Sequence, residues 1–271
     1  MIQDIYPSRL KNEYVNKTIT DDDCVMIFNS EGKMLLGKKE DKVIFPKGKG
    51  SKGRTVYLFS LDETAFFLDL EGAKEPGNGF DYYSVREVRD LFEGKEVFAV
   101  FTGYHLWKWY SDNIFCGKCT DKLIPDEKER ALRCPKCGNV IYPRINPAVI
   151  VGVTNGDSLL ITKYKRGFAH NALVAGFTEI GETLEETVAR EVMEETGVKV
   201  KNIRYYKSQP WGMAQDILMG FYCDVDGDPT IKMDESELKY AEWVKREEIV
   251  LQPNNLSLTN EMMRMFKENA L

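Results

Sequence analysis

The sequence predicts an α/β (α+β) protein: an α/β/α sandwich on a mixed sheet, preceded by a zinc ribbon and an N-terminal α/β domain. Three observations carry the prediction. Short apolar runs of strand length alternate with helical stretches toward both ends of the chain. Two Cys-x-x-Cys pairs lie between them, with 14 residues separating the pairs. A glutamate-rich segment with its own start and stop signals for a helix follows. At 271 residues the chain is long enough for more than one core. The pattern divides it into residues 1–113, 114–142 and 143–271.

In the first part, β-branched and aromatic runs predict strands over Cys24–Phe28, Val43–Phe45, Val56–Phe59 and Ala65–Leu70. Helices are expected over Ser84–Leu91 and Val97–Trp109, and the Gly-rich stretches Lys47–Arg54 and Gly72–Phe80 read as loops. In the third part, strands are expected at Ala148–Val153, Ser158–Thr162 and Leu173–Ala175, then the glutamate-rich helix. Further strands near Ile203–Ser208, Ile217–Cys223 and Tyr240–Val244 precede a last helix over about Leu258–Glu268. No repeat of solenoid period and no low-complexity tract is present.

The pairs Cys116/Cys119 and Cys134/Cys137 have the spacing of a ribbon that binds zinc through four thiolates. Gly117 and Gly138 suit the tight turns that aim backbone N–H groups at sulfur. With all four positions filled by protein, one such zinc per chain is structural and not catalytic. Disulfides are the weaker explanation in a reducing compartment. Cys24 (in CVMIF) and Cys223 (in MGFYC) sit in apolar runs and are expected to pack in cores.

Net charge is −6, from 37 basic and 43 acidic residues, which argues against broad charge-driven duplex binding. A small phosphorylated ligand stays compatible, because metal ions can meet its charge. The opening MIQDIYPSRLKNEY lacks an apolar signal core, and no apolar run has the length of a membrane span. A cytoplasmic protein without a membrane partner is expected.

The segment Gly176–Val198 reads GFTEIGETLEETVAREVMEETGV. Thr183 with Glu186 makes a capping box, and Gly197 is placed to close the helix in a left-handed turn. At about 100° per residue, Glu191, Glu194 and Glu195 share one arc, while Val188, Ala189, Val192 and Met193 share another expected to pack inward. Crowded carboxylates repel, and a hard divalent cation with oxygen ligands relieves the repulsion. Arg190 can pair with a neighbouring carboxylate and hold it.

Gly, five residues, Glu, seven residues, then Arg-Glu-apolar-x-Glu-Glu-x-Gly-apolar resembles the signature of the Nudix hydrolases, which cleave nucleoside diphosphates linked to another group. A zinc ribbon ahead of that box, and Ser208-Gln209-Pro210-Trp211 after it, resemble the NADH pyrophosphatase family over nearly the whole chain. The resemblance implies a Nudix-like N-terminal domain and cleavage of NAD(H) into a nicotinamide mononucleotide and AMP. It also implies removal of NAD caps from RNA 5′ ends, and a homodimer with substrate bound where the subunits meet. It places Mg2+ or Mn2+ on Glu191, Glu195, Glu237 and the Ala175 carbonyl, with Glu194, Glu182 and Arg190 beside them. It assigns substrate contacts to Lys47, Arg86, Glu129, Tyr142, Phe177 and Thr259, and to the array Gln209, Pro210, Trp211, Gly212, Met213, Ala214, Gln215 and Asp216. The family array continues Pro-Phe-Pro-x-Ser after the Trp, where this chain has Gly212-Met213-Ala214-Gln215-Asp216. The expectation is a looser wall: Gly212 frees backbone, Met213 adapts its shape, and Asp216 adds charge.

The expected reaction is hydrolytic substitution at phosphorus, with Glu194 or Glu182 accepting the proton of a metal-bound water. His105 and His170 are further possible bases. Two other readings stand beside it. One is a Nudix hydrolase of ADP-ribose, dinucleoside polyphosphates or another nucleoside diphosphate derivative. The other is a nucleic-acid-binding zinc ribbon with a non-catalytic Nudix domain, disfavoured by the intact glutamates.

Overall fold

The computed structural model describes residues 1–49, 53–165 and 170–270, so the expected Lys47–Arg54 loop lies partly outside the described residues. The chain divides into two compact units. One holds residues 3–144 and 211–215; the other holds residues 1–2, 145–210 and 216–271.

The first unit contains β1 (Leu10–Lys11), β2 (Cys24–Met26), β3 (Met34–Lys39), β4 (Lys42–Ile44), β5 (Thr55–Leu61), β6 (Thr64–Asp69), β7 (Phe80–Tyr83), α1 (Val85–Leu91) and α2 (Lys95–Asp112). They build a sheet of order β1-β5-β6-β2 and a second of order β4-β3-β7. The strand pattern did not signal β3 or β7. The first ends in Gly-Lys-Lys and the second follows a Gly-rich loop, so neither presents a clean alternation. Ser84 caps α1 through a capping box with Glu87. The longer α2 buries Val97, Val100, Phe101, Leu106 and Trp109.

The ribbon strands β8 (Ile124–Pro125), β9 (Leu132–Arg133) and β10 (Val140–Ile141) belong to the same unit. Arg130 clasps them to it: its Nη2 donates to the carbonyls of Asn12 and Leu58. The Tyr14 hydroxyl donates to the Asp126 carbonyl at 2.9 Å. Ribbon and N-terminal strands therefore share polar anchors as well as a unit.

The second unit contains β11 (Asn146–Asn155), β12 (Ser158–Tyr164), β13 (Val174–Phe177), α3 (Leu184–Thr196), β14 (Val200–Trp211) up to Pro210, β15 (Asp216–Val225), β16 (Leu238–Lys245) and α4 (Leu258–Lys267). The sheet order is β14-β15-β11-β12-β16, with β13 also paired to β11. β11 runs parallel to β15, and its pairings with β12 and β13 are antiparallel. Side chains alternate across such a sheet. Val149, Val151, Val153, Phe221 and Cys223 therefore meet Val188 and Val192 of α3 on one face. Ile150 and Tyr222 meet Leu258, Met262 and Phe266 of α4 on the other. This is the mixed-sheet α/β/α sandwich expected.

The first unit repeats part of this plan. β2 runs parallel to β6 as β11 does to β15, and β3 pairs antiparallel with β7 as β12 does with β16. Only residues 45–54 separate β4 from β5, too few to hold a helix of the length of α3.

Candidate active site

The box helix forms as its caps dictate. The Thr183 hydroxyl accepts from the Glu186 N–H at 3.2 Å, and the Glu186 carboxylate accepts from the Thr183 N–H at 2.7 Å. Gly197 closes it at φ 69°. Its buried face is Thr187, Val188, Val192, Glu195 and Thr196. Ala189 and Met193 do not pack inward as expected: both face solvent, Met193 with 38% of its surface exposed. The physical reason is rotation: 188, 192 and 195 lie within one turn-to-turn stripe, and 189 and 193 are swung about 100° off it.

Arg190 is the hub of the acidic cluster. Its Nε donates to Glu182 at 2.6 Å, Nη1 to Glu191 at 2.8 Å and to Glu194 at 3.0 Å, and Nη2 to the Phe177 carbonyl at 2.9 Å. The Arg190 hydrogen bond holds the Glu182 carboxyl down at about 2. Glu182 also accepts from the Thr187 hydroxyl at 3.0 Å and the Glu179 N–H at 3.0 Å. A carboxylate so weakly basic and so fully engaged suits an anchor better than a proton acceptor. Glu194 is the open member, its side chain 60% exposed.

Glu195 is the buried member at 3% exposure. Burial pushes its carboxyl up to about 8, and the charges of Glu191 and Glu237 add to that; the hydrogen bond from Tyr164 opposes it. Glu191 is raised as well, chiefly by burial. Its carboxylate lies directly on Gly176: a Cβ at that position would stand 1.9 Å from the carboxyl carbon. The box begins with glycine because only a missing side chain lets Glu191 reach the backbone of β13 beside the Ala175 carbonyl. The pairing of β12 with β16 slips between Lys163 and Tyr164, and the Lys165 N–H then donates to the Glu237 carbonyl at 2.9 Å. That irregularity brings Tyr164 and Glu237 to the cluster, a common use of bulges beside active sites.

These oxygens suit a hard divalent cation: negative ligands raised by burial and mutual repulsion, a backbone carbonyl, and a glycine cradle for one carboxylate. Among the described residues no carboxylate trio converges as tightly as the four cysteines, whose sulfurs all lie within 4.8 Å of one another. The Cys116–Cys137 and Cys119–Cys134 sulfur separations are 3.7 and 3.4 Å. A zinc with bonds of about 2.3 Å needs tetrahedral edges near 3.8 Å. The Lys118 N–H holds the Cys116 thiol down at about 6, and the Cys137 N–H lowers that of Cys134. Cys24 and Cys223 are buried in the two units, as expected of core residues.

The predicted substrate contacts fall into different settings. Phe177 and Tyr142 present half-exposed rings, 53% and 56%, and the Tyr142 hydroxyl donates to Glu129 at 2.9 Å. Arg86 is exposed on the first turn of α1, and Thr259 is half-buried in the first turn of α4. Lys47 instead donates to the Asp22 carbonyl at 2.8 Å and to the Cys24 sulfur at 3.6 Å. Gln209 is fully buried and caps α4: its carbonyl oxygen accepts from the Leu258 N–H at 2.7 Å, and its amide donates to the Leu256 carbonyl at 2.8 Å. Pro210 and Ala214 are exposed, and Met213 is half-buried. The His105 Nε2 is bonded to the Arg144 carbonyl at 2.8 Å, with its pKa lowered by burial, while His170 is exposed.

Gly212 does not free the turn between β14 and β15. The turn belongs with the first unit, where a Cβ on Gly212 would stand 2.0 Å from the Phe101 carbonyl of α2. Trp211 packs on Phe101 with ring centroids 5.0 Å apart, and Arg144 donates to Gln215 at 2.8 Å. Glycine is there for close approach, so the expected looseness is replaced by a pinned turn. Asp216 follows, buried and raised to about 6 by desolvation, with the Asn146 side chain as hydrogen-bond partner. Tyr164 had no signal in the sequence beyond an aromatic residue closing an aliphatic strand.

A glutamate box on a helix, set against the first strands of a mixed sheet and shaped for a divalent cation, defines a metal-dependent hydrolase of the Nudix fold. Residues 144–266 match the NUDIX domain, and residues 111–142 match the NADH pyrophosphatase zinc ribbon domain. The NAD-capped RNA hydrolase NudC of Shigella dysenteriae serotype 1 is 41% identical over 224 residues, 79% of this chain and 85% of that protein. Its namesake from an Enterobacter species is 43% identical over 176 residues, covering 64% of this chain and 67% of that one. A Nudix hydrolase structure from Nitrosomonas europaea shares the fold at a TM-score of 0.50 and 23% identity, over 57% of this chain and 90% of the other. The chain belongs to the zinc-ribbon NADH pyrophosphatase family of the Nudix hydrolases.

Proposed function

We propose that the protein hydrolyses the pyrophosphate bond of NAD(H) to nicotinamide mononucleotide and AMP, and removes NAD caps from RNA 5′ ends. The observation that carries this reading is the joint presence, at 41% identity to an NAD-capped RNA hydrolase, of the four-cysteine ribbon and a complete glutamate box. Glu191, Glu195, Glu237 and the Ala175 carbonyl would hold Mg2+ or Mn2+. Such ions supply charge neutralisation at the diphosphate and a water of lowered pKa. Arg190 orients Glu191 and Glu194. Glu194, the exposed carboxylate, would accept the proton of such a water, and Glu182 would serve as the anchor of Arg190. Phe177 offers a ring to a base, an interaction worth about 1–3 kcal/mol in single-stranded nucleic-acid complexes. Within the ribbon, the Tyr142 hydroxyl donates to Glu129, which gives that exposed ring a polar rim.

A homodimer fits this reading. Ile114, Phe115, Ile124 and Tyr142 of the ribbon are exposed apolar or aromatic side chains, and closed two-fold assembly is the commonest oligomeric outcome. Sedimentation at micromolar concentration is expected to give a dimer; a fully active monomer would remove the partner subunit from the site. No helix among the described residues is long and apolar enough to cross a membrane. Thiolate zinc ligands call for a reducing compartment, which supports a cytoplasmic location.

Substrate choice is tested by comparing kcat/KM for NADH, NAD, ADP-ribose, a diadenosine diphosphate and NAD-capped RNA, with products identified. NADH and the capped RNA are expected to lead. An ADP-ribose preference beyond about tenfold over NADH, or about 1.4 kcal/mol, would replace this reading with that of an ADP-ribose hydrolase.

A further inference from the structure

The Tyr164 hydroxyl is a junction within the acidic cluster. It donates to Glu195, 2.9 Å from Oε1 and 3.2 Å from Oε2, and accepts from the Ala175 N–H at 3.1 Å, with the Ala175 carbonyl 3.4 Å away. One oxygen atom thus touches both a box carboxylate and the backbone of the residue whose carbonyl is its neighbour in the metal site. The strand slip at Lys163/Tyr164 aims the ring there, and the same slip delivers Glu237. Glu195 is almost wholly buried, so water cannot readily replace the hydroxyl as its donor.

We propose that Tyr164 is a positioning residue of the divalent-metal site, fixing the Glu195 carboxylate and the Ala175 carbonyl in one geometry through its hydroxyl. This rests on the metal-site reading given above. Partners that orient metal ligands without touching the metal typically contribute 10- to 100-fold in affinity or activity. In Tyr164→Phe the ring remains and only the oxygen leaves. Glu195 then keeps its charge and volume but loses a restraint, and the Ala175 N–H loses an acceptor.

The test is Mn2+ binding, followed by the electron-spin resonance of the free ion, on wild type, Tyr164→Phe and Glu195→Gln, with kcat and KM measured alongside. Tyr164→Phe is expected to weaken Mn2+ binding by about tenfold and to lower kcat at limiting Mn2+, with kcat recovering substantially as Mn2+ is raised. KM for NADH should change little, since the hydroxyl is assigned no substrate contact. Glu195→Gln is expected to lose both, without recovery. Wild-type Mn2+ affinity in Tyr164→Phe, with Glu195→Gln defective, overturns this inference alone. Wild-type affinity in both overturns the metal-site reading. Thermal melting and zinc content of each variant separate a loss of fold: if Tyr164→Phe melts far below wild type, Mn2+ binding is measured at a temperature well below its transition, and wild-type affinity there with unchanged kcat overturns the inference equally.

Discussion

Glu195→Gln is expected to lower turnover by about 1,000-fold or more while the fold survives, and Glu191→Gln to act in the same direction. Each change removes a negative oxygen and preserves volume, so the loss is one of metal-ion catalysis, several kcal/mol of transition-state stabilisation. The stability readout should move the opposite way for Glu195. Its carboxyl titrates near 8 in the folded protein against an ordinary 4.5. Between those values the folded chain holds a proton that the unfolded chain has released, so metal-free protein loses stability as pH rises through that window. The neutral amide carries no such penalty. Metal-free Glu195→Gln should melt at or above wild type at pH 8, whereas added Mn2+ should raise the melting point of wild type only. Assay at saturating Mn2+ with a melt on the same samples checks both halves. Near-wild-type turnover by both variants would contradict the assignment of these glutamates.

Removing the ribbon zinc is expected to destabilise the first unit. Structural zinc binding is coupled to folding, with apparent values of about 10–16 kcal/mol in finger peptides, and the strand pairs that join β8, β9 and β10 are only two residues long. In Cys134→Ser the sulfurs of Cys116, Cys119 and Cys137 are left to share a site built for four. The ribbon strands then no longer fix Arg130, and its bonds to the Asn12 and Leu58 carbonyls are lost with them. Purified wild type should carry one zinc per chain by metal analysis, retained when the exchangeable divalent ions are dialysed away. Cys134→Ser should carry little zinc and show a melting point lower by several degrees or more, with activity falling in parallel. A zinc-free preparation that melts like wild type would show that the cysteines hold no structural metal.

The chain's local chemistry was legible without a structure. The capping box at Thr183 and Glu186, the stop at Gly197, the alternation that sorts Val149, Val151 and Val153 from Ile150, and the two cysteine pairs all act over a few residues. A helix cap, a strand period and a metal knuckle are short-range constraints, so sequence spacing states them directly. Which residues meet across the fold was decided only in three dimensions. Nothing in the Ser-Gln-Pro-Trp run signals that the Gln209 side chain accepts from the Leu258 N–H and so satisfies the N-terminus of α4. Gly212 reads as freedom, yet the Phe101 carbonyl occupies the space where a Cβ would go. Tyr164 reads as an unremarked strand end, yet a one-residue slip against β16 turns its hydroxyl onto Glu195. Each of these depends on a partner tens of residues away in the chain. Spacing along the chain encodes what a segment can form, while burial, close approach and register settle what each side chain finally touches.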